Sequence, residues 1–344
     1  KHTPGATPVG AVVDALVGEA RQRLGGGAER PRTLYLGGGT PGMLSPGHLR
    51  RLFDGLREVI DFSTLEEVTL EANPATFDVG KARLFGECGV TRVSLGIQSF
   101  APHVLAVLGR EHSPEQAREA VPMLREAGIR EVNIDLMFSI PGQTEQDWRA
   151  TLEQAVALEP DHISAYNLTY EEDTAFFDSL RRGEMRVNED DDAVMFTLAD
   201  ACLTGAGFDH YETSNYARPG CHSSHNRGYW RGEDYLGLGP SAVSTQGGVR
   251  EVNVADTARY VAMVNSLGRA VVESETLTPE AIRIERIALG LRTTDGIGLD
   301  WLDPQGVARA GHLAAAGLAR VDGGRLVLVR HGRALVDPIA AELI

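Results

Sequence analysis

Cysteine is scarce in this sequence: its 344 residues include only Cys88, Cys202 and Cys221. Because these three are far apart and odd in number, they form neither a disulfide framework nor a Cys-x-x-Cys metal motif. Disulfides are typical of secreted proteins, so this usage predicts a reducing compartment, and we expect a cytoplasmic protein.

Basic charge and long apolar runs are also lacking. Lys1 and Lys81 are the only lysines, and the formal net charge is −15. Binding nucleic acid regardless of sequence requires a basic face that neutralises phosphates, so we expect no nucleic-acid partner. No apolar run is long enough to cross a bilayer and no signal-peptide pattern is seen, so we expect no transmembrane segment.

Strand and helix patterns alternate along the first half of the chain. Predicted strands cover residues 34–36, 67–71, 92–97, 132–137 and 162–168, and predicted helices cover 9–24, 46–59, 79–88, 114–127 and 145–158. The strands look apolar in nearly every position, which is typical of a parallel sheet covered on both faces or closed into a barrel. We therefore predict an α/β fold with a (β/α) barrel rather than an open sheet.

Polar or glycine-rich residues lie at or near the end of each predicted strand. In a parallel barrel such strand ends meet at one mouth. One explanation without a ligand is that polar residues simply cap strands where loops begin. The contiguous glycines also fit no standard phosphate-loop pattern. Recurrence at the same level nevertheless favours a ligand-lined mouth. The strand ends are Gly37-Gly38-Gly39-Thr40, Glu71-Ala72-Asn73-Pro74, Gln98-Ser99-Phe100, Asp135-Leu136-Met137 and Asn167-Leu168-Thr169.

A second polar cluster, residues 222–230, lies in a segment with the composition of a loop. His225 followed by Tyr229 and Trp230 could offer an axial imidazole beside flat aromatic faces, which suits a macrocycle. The spacing specifies no metal geometry, so chemistry alone favours a structural role for this histidine over a ligand role.

The last third of the chain differs in kind. Residues 235–249 predict a hairpin, and the tail predicts helices over 277–292, 307–316 and 332–343 with a hairpin at 318–329. Helices followed by a two-stranded wing are typical of a winged-helix module, and the acidity of the chain argues against DNA binding by it. We predict three parts: a core barrel (residues 1–218), a connecting region (219–274) and a winged-helix-like α+β module (275–344).

Several ordered blocks resemble the radical S-adenosylmethionine (SAM) family, in the branch related to oxygen-independent coproporphyrinogen III oxidase, and most closely its heme chaperones. The resemblance runs from Leu34 to the C-terminus. Its blocks are Gly37-Gly38-Gly39-Thr40-Pro41, Leu70-Glu71-Ala72-Asn73-Pro74, Ser94-Leu95-Gly96-Ile97-Gln98-Ser99-Phe100, Leu108-Gly109-Arg110, Asn133-Ile134-Asp135-Leu136-Met137, Ile140-Pro141-Gly142-Gln143-Thr144 and His225-Asn226-Arg227-Gly228-Tyr229-Trp230.

The resemblance implies a partial, TIM-like (β/α) barrel that holds SAM and a [4Fe–4S] cluster. By this analogy the glycine turn contacts the methionine part of SAM, four polar side chains hold its other groups, and two further residues are weaker candidates. In that order, these are Gly38, Gly39 and Thr40; Glu71, Gln98, Arg110 and Asp135; Thr169 and Val243. SAM carries an amino group, a carboxylate and ribose hydroxyls, for which these groups are apt partners.

The same analogy makes His225 an axial ligand or contact of heme, with Asn226, Tyr229 and Trp230 in the same motif. One departure is large: the three-cysteine cluster motif Cys-x-x-x-Cys-x-x-Cys of the family does not occur in the chain. The family places this motif just after the first barrel strand, so we expect both the strand and the motif upstream of Lys1. The three cysteines present have the wrong spacing to replace it.

Three functions stay open. The first is a heme chaperone that binds heme and passes it to acceptor proteins such as respiratory enzymes, and we prefer it because of the His225 block. The second is an enzyme, the oxygen-independent coproporphyrinogen III oxidase, in which a 5′-deoxyadenosyl radical takes hydrogen from propionate side chains during porphyrin biosynthesis. The third is a barrel without a cluster that acts only as a binding module. The sequence predicts neither the acceptor nor the oligomeric state.

Overall fold

The computed structural model describes residues 7–26, 30–168, 182 and 189–344. Its first part alternates strands and helices much as predicted, and side-chain caps fix several helix starts, such as Ser113 and Thr144 in capping boxes. The elements are α1 (Val9–Leu24), β1 (Thr33–Leu36), α2 (Pro46–Arg57), β2 (Glu67–Ala72), α3 (Val79–Glu87), β3 (Arg92–Gln98), α4 (Pro102–Val107), α5 (Pro114–Glu126), β4 (Glu131–Phe138), α6 (Glu145–Ala157) and β5 (His162–Asn167), with short 3₁₀ turns at Pro41–Met43, Phe62–Thr64 and Pro74–Thr76.

One curled sheet organises this part. Its seven strands run in the order β1-β2-β3-β4-β5-β7-β6, where β6 (Asp209–Glu212) and β7 (Asn215–Ala217) follow helix α7 (Glu189–Gly205). The first five strands pair in parallel, and the β6–β7 hairpin adds an antiparallel edge. The predicted partial (β/α) barrel is confirmed.

The prediction that the strands are apolar in nearly every position is wrong. Successive strand residues point to opposite faces, and here one face is apolar and packs under the helices while the other is polar. The apolar face includes Val68, Leu70, Val93, Leu95, Val132, Ile134 and Ile163. The polar face includes Glu67, Thr69, Glu71, Arg92, Ser94, Asn133, Asp135, His162, Ser164 and Tyr166. Buried polar groups are tolerated where they are paired, and hydrogen bonds link several of them to one another.

The segment that begins at Cys221 closes the amino-terminal end of this polar face. Glu67 accepts hydrogen bonds from the Ser223 hydroxyl (3.0 Å) and the Ser224 amide (2.8 Å), while Arg92 donates to the Cys221 carbonyl (2.9 Å). Ser223 also caps helix α8 (Ser224–Trp230). Loop composition was therefore misleading for most of residues 222–230, because the Ser223 cap and the contacts with the barrel stabilise a helix there.

A second, three-stranded sheet packs beside α1. It contains β8 (Val243–Gln246), β9 (Val249–Asn253) and β10 (Val271–Thr276), in the order β10-β9-β8, with α9 (Thr257–Leu267) between the last two strands. The predicted hairpin is confirmed at Gly247–Gly248, whereas the sequence did not predict α9 and β10. The buried carboxylate of Glu19 on α1 anchors this region by accepting hydrogen bonds from Gly239, Asn253 and Tyr260.

The C-terminal part has its own apolar core. Its elements are α10 (Pro279–Gly290), β11 (Ile297–Gly298), a 3₁₀ turn (Leu299–Trp301), α11 (Pro304–Ala315), β12 (Ala319–Asp322), β13 (Arg325–Leu328), α12 (Arg330–Arg333) and α13 (Val336–Leu343). The predicted hairpin is confirmed, but the predicted single helix over 332–343 is wrong. Gly332 packs directly against the Leu318 carbonyl, which holds α12 in place. The helix ends at Arg333, and α13 begins at Val336. The three-part division stays a prediction.

Among the described helices, none combines the length and the apolar character needed to span a membrane.

Candidate functional site

A tight turn at Gly37–Thr40 begins the mouth of the barrel. Gly38 has a φ of 79° and Thr40 a φ of 56°, so the backbone enters the left-handed region twice. A Cβ on Gly37 would lie 2.8 Å from Glu71 Oε1, whereas a Cβ on Gly38 or Gly39 would have nothing within 4 Å. The turn therefore packs against Glu71 on one side and leaves bare backbone facing open space on the other.

Tyr166 connects the predicted polar residues of the mouth. Its hydroxyl donates a hydrogen bond to Gln98 Oε1 at 3.0 Å. Burial raises the pKa of Tyr166, the charge of Asp135 raises it further, and Arg110 and Glu71 also act on it. Three side chains predicted from separate strand ends, Glu71, Gln98 and Asp135, thus act on one phenol, together with Arg110 from the segment after α4. Sequence reasoning missed Tyr166 because it stands inside an apparently apolar strand, although it pairs with Met137 at the same level as the other strand ends.

Asp135 is the most perturbed carboxyl of this mouth. It accepts hydrogen bonds from Ser94 Oγ (2.9 Å to Oδ2) and Asn133 Nδ2 (2.7 Å to Oδ1). Burial raises its pKa to about 6, while the Ser94 and Asn133 hydrogen bonds oppose this and the charge of Glu71 adds to it. At neutral pH the charged form is costly, and a bound cation would relieve that cost.

Asp135→Asn is expected to stabilise the protein by roughly 1–3 kcal/mol near pH 7, because it removes the cost of charging this buried group. The new amide donor can bond to the Ser94 hydroxyl, which is able to accept as well as donate. The pKa is about 6 in the folded chain against an ordinary 3.8, so the folded state binds more protons between these values and loses stability as pH rises through them. The gain should therefore vanish near pH 4. Urea unfolding at both pH values measures it, with exposed Asp322→Asn as the control, and equal gains at both would contradict the argument.

Arg110 carries a buried donor without a partner. Gly109, at a φ of 62°, follows α4 and lets the Arg110 amide donate to the Leu105 carbonyl at 2.9 Å. The Arg110 Nε is buried and has no hydrogen-bond partner among the described residues. Buried donors are normally satisfied, so this one fits a carboxylate that belongs to a ligand.

Thr169 and Val243 are the two weaker candidates for a SAM contact. Thr169 lies outside the described residues. Val243 begins β8 in the second sheet, where its backbone lies against Gly237. A contact of either residue with SAM stays a prediction.

His225 lies near the amino-terminal end of the barrel, next to β1. Its Nδ1 is hydrogen-bonded to Thr33 Oγ1 at 2.8 Å, and its ring stacks on Tyr35 with centroids 4.9 Å apart and planes 21° apart. Burial lowers its pKa, with Glu67 opposing, so the neutral imidazole is favoured. Because Nδ1 is occupied, Nε2 is the nitrogen that could coordinate iron.

The rest of the motif does not supply two flat faces beside His225. Tyr229 meets the imidazole edge-on at 88° and is 42% exposed. The indole nitrogen of Trp230 is buried and lies beside the Glu212 carboxylate. The Asn226 backbone N–H donates to Ser223 Oγ as part of the helix cap. Among the described residues, the ring nearly parallel to the imidazole is that of Tyr35, which the sequence did not single out.

The fit of the three expected groups differs. SAM fits the mouth, because bare glycine backbone, two carboxylates and a guanidinium whose Nε has no partner among the described residues lie near one another. For heme, His225 offers one imidazole nitrogen, while its other nitrogen is held by Thr33. A [4Fe–4S] cluster does not fit the residues that the structure describes: Cys88 is buried after α3, Cys202 lies on α7 and Cys221 lies at the barrel floor. Within the described ranges, no three side chains gather to hold a metal.

Comparison with known proteins gives consistent relatives. A model described as the radical SAM superfamily matches residues 12–155. The chain is 38% identical over 313 residues to the heme chaperone HemW of Mycobacterium tuberculosis, covering 91% of this chain and 80% of that protein. It is 34% identical over 291 residues to the heme chaperone HemW of Lactococcus lactis, covering 84% of this chain and 76% of the relative.

A solved structure has the same fold. The coproporphyrinogen III oxidase HemN from Escherichia coli, described as a radical SAM enzyme, matches with a TM-score of 0.82 at 23% identity, covering 97% of this chain and 83% of that one. At this identity the likeness concerns the fold alone. The two HemW relatives match most of their own length, and the motif resemblance noted from the sequence is confirmed. This chain belongs to the HemN/HemW-like family of radical SAM proteins, among the relatives of HemW.

Proposed function

We propose that this chain is a heme chaperone, which binds heme at His225 and delivers it to acceptor proteins in the cytoplasm. The observation that carries the proposal is the state of the His225 imidazole, which is neutral, half-buried and oriented through Nδ1 by Thr33. A histidine that coordinates metal through one nitrogen typically has the other held in this way. Relatives named heme chaperones support the assignment, and the net charge of −15 favours no nucleic-acid partner.

We further propose that the mouth of the barrel holds SAM. The carboxylates suit its cationic groups, Arg110 suits its carboxylate, and the open turn suits its methionine part. The proposed set is Gly38, Gly39, Thr40, Glu71, Gln98, Arg110 and Asp135, with Thr169 and Val243 as further candidates. When bound, SAM supplies a 5′-deoxyadenosyl group whose radical chemistry requires a reduced [4Fe–4S] cluster. The role of the residues named is to bind SAM and orient it, and cluster ligands must come from outside the described residues.

His225→Ala tests the heme site. Removing the imidazole should weaken hemin binding by about tenfold or more and shift the Soret band, because the iron loses its axial nitrogen. Titration of the purified 344-residue chain with hemin, followed by absorbance, measures both. His312→Ala is the matched control, since His312 is an exposed histidine on α11. Equal affinity and an identical Soret band in the His225 variant would refute the site.

The oxidase is the alternative, and the same SAM residues would serve it. The likeness to HemN adds no support for this activity beyond the fold. An anaerobic assay with cluster-loaded protein and coproporphyrinogen III separates the two: the chaperone assignment predicts no loss of carbon dioxide from the propionates. Decarboxylation at a catalytic rate would instead establish the oxidase.

A further inference from the structure

Tyr35 touches both proposed ligand sites, and we propose that it couples them, so that SAM at the mouth tightens heme binding at His225. This inference rests on the proposed function. Tyr35 acts as a positioning residue, since it reaches the heme site through the imidazole that it stacks on.

The contacts of Tyr35 are specific at both ends. Its hydroxyl donates to Glu71 Oε1 at 2.7 Å, and its ring lies 4.9 Å from the His225 ring. Burial raises the pKa of Tyr35 and the charge of Glu71 raises it further, so the phenol stays protonated and remains a donor. One side chain with only two χ angles therefore joins a carboxylate of the mouth to the imidazole of the heme motif.

The glycine turn lies directly beside this hydrogen bond. A Cβ on Gly37 would be 2.7 Å from Tyr35 Cε1 and 2.8 Å from Glu71 Oε1. A ligand that rests on Gly38 and Gly39 is thus one residue away from both partners of the bond. Such a ligand constrains the Glu71 carboxylate and, through it, the Tyr35 ring.

Strand β1 holds His225 at two points. Thr33 bonds Nδ1, and Tyr35, two residues further on the same strand face, covers the ring. The strand then leads into the glycine turn, so a ligand bound there restricts the motion of its end. Ordering Tyr35 beforehand removes part of the cost of fixing the imidazole for iron, which strengthens binding.

The test compares hemin affinity of the 344-residue chain with and without saturating SAM. In the unaltered protein SAM is expected to lower the hemin Kd by about fivefold, at the modest end of known coupling between sites, and hemin must tighten SAM by the same factor. Tyr35→Phe keeps the stacked ring and loses the hydrogen bond, so SAM should lower the hemin Kd of this variant by less than about twofold. Tyr235→Phe is the control: Tyr235 packs on Tyr229 in the same aromatic cluster, and its variant should keep the full ratio.

A second readout needs no heme. With the histidine rings labelled by ¹⁵N, SAM alone should move the His225 resonances in the unaltered chain and leave them in place in Tyr35→Phe. The coupling is overturned if SAM lowers the hemin Kd of Tyr35→Phe as much as that of the unaltered chain. It is also overturned if SAM does not move the His225 resonances of the unaltered chain. Either result leaves the heme site standing. If His225→Ala binds hemin as tightly as the unaltered chain, the proposed function is overturned instead. The response of the His225 ¹⁵N resonances to SAM then tests by itself whether Tyr35 links the mouth to the imidazole. A chain that binds no SAM overturns the coupling and the proposed SAM site, and leaves the heme site at His225 standing.

Discussion

Arg110→Ala is expected to weaken SAM binding by roughly 30-fold or more while leaving the stability of the free protein unchanged. Losing one partner of a buried, hydrogen-bonded charge pair costs about 2–5 kcal/mol, and about 1.4 kcal/mol corresponds to tenfold in affinity. The free protein loses little, because the Arg110 Nε has no hydrogen-bond partner among the described residues. Isothermal titration with SAM and urea unfolding of the same variant measure the two effects separately.

Arg110→Lys is the matched variant for this experiment. It keeps the positive charge but replaces the planar fork with a single ammonium, so an affinity between those of the unaltered chain and Arg110→Ala is expected. If both variants bound SAM as tightly as the unaltered chain, Arg110 would not contact the ligand. If Arg110→Ala instead unfolded at much lower urea, its guanidinium would be a structural group, and the mouth would have to recognise a carboxylate in another way.

The strand ends of the mouth could be predicted from the sequence because their position follows from chain order alone. Once strands and helices alternate, the carboxyl ends of the strands must meet at one edge, and Glu71, Gln98 and Asp135 follow directly. The structure places these three around Tyr166. Their role in holding SAM stays a prediction that the Arg110 variants begin to test.

The polar inner face could have been predicted and was missed. The runs Glu67-Val68-Thr69-Leu70-Glu71 and His162-Ile163-Ser164-Ala165-Tyr166 alternate polar and apolar residues. This is the period of a strand with one apolar face, yet they were interpreted as strands buried in apolar surroundings on both sides. The alternation also places Tyr166 on the polar face, where its hydroxyl bonds to Gln98 at the mouth.

The contact between β1 and the heme motif could not have been predicted. Thr33 and His225 are 192 residues apart, and no local pattern shows that helix α8 begins beneath the barrel. Its position depends on the ring of contacts that Glu67, Arg92 and His162 make with residues 211–224. Such placement follows from tertiary packing, so the contact between Tyr35 and His225 emerges only from the structure.

Glu19→Ala is expected to lower the free energy of unfolding by about 3–5 kcal/mol, since it leaves several buried donors unpaired. The carboxylate is fully buried and accepts from the Gly239 amide (2.9 Å), Asn253 Nδ2 (2.8 Å) and Tyr260 Oη (2.7 Å). Burial raises the pKa of Tyr260 and the Glu19 charge raises it further, so the phenol stays a donor. Urea unfolding with an unchanged m-value measures the loss.

Two milder variants separate the parts of this anchor. Tyr260→Phe removes one donor and should cost about 1 kcal/mol. Glu19→Gln keeps the shape but turns one acceptor into a donor that faces donors, so its cost should lie between those of the other two variants. Asn253 keeps a second acceptor in the Gly239 carbonyl at 2.9 Å. Most of the lost stability in Glu19→Ala should therefore come from the unpaired donors of Gly239 and Tyr260. A loss below about 1 kcal/mol in Glu19→Ala would mean that water or a shifted side chain satisfies the freed donors, and α1 would then not anchor the second sheet through this carboxylate.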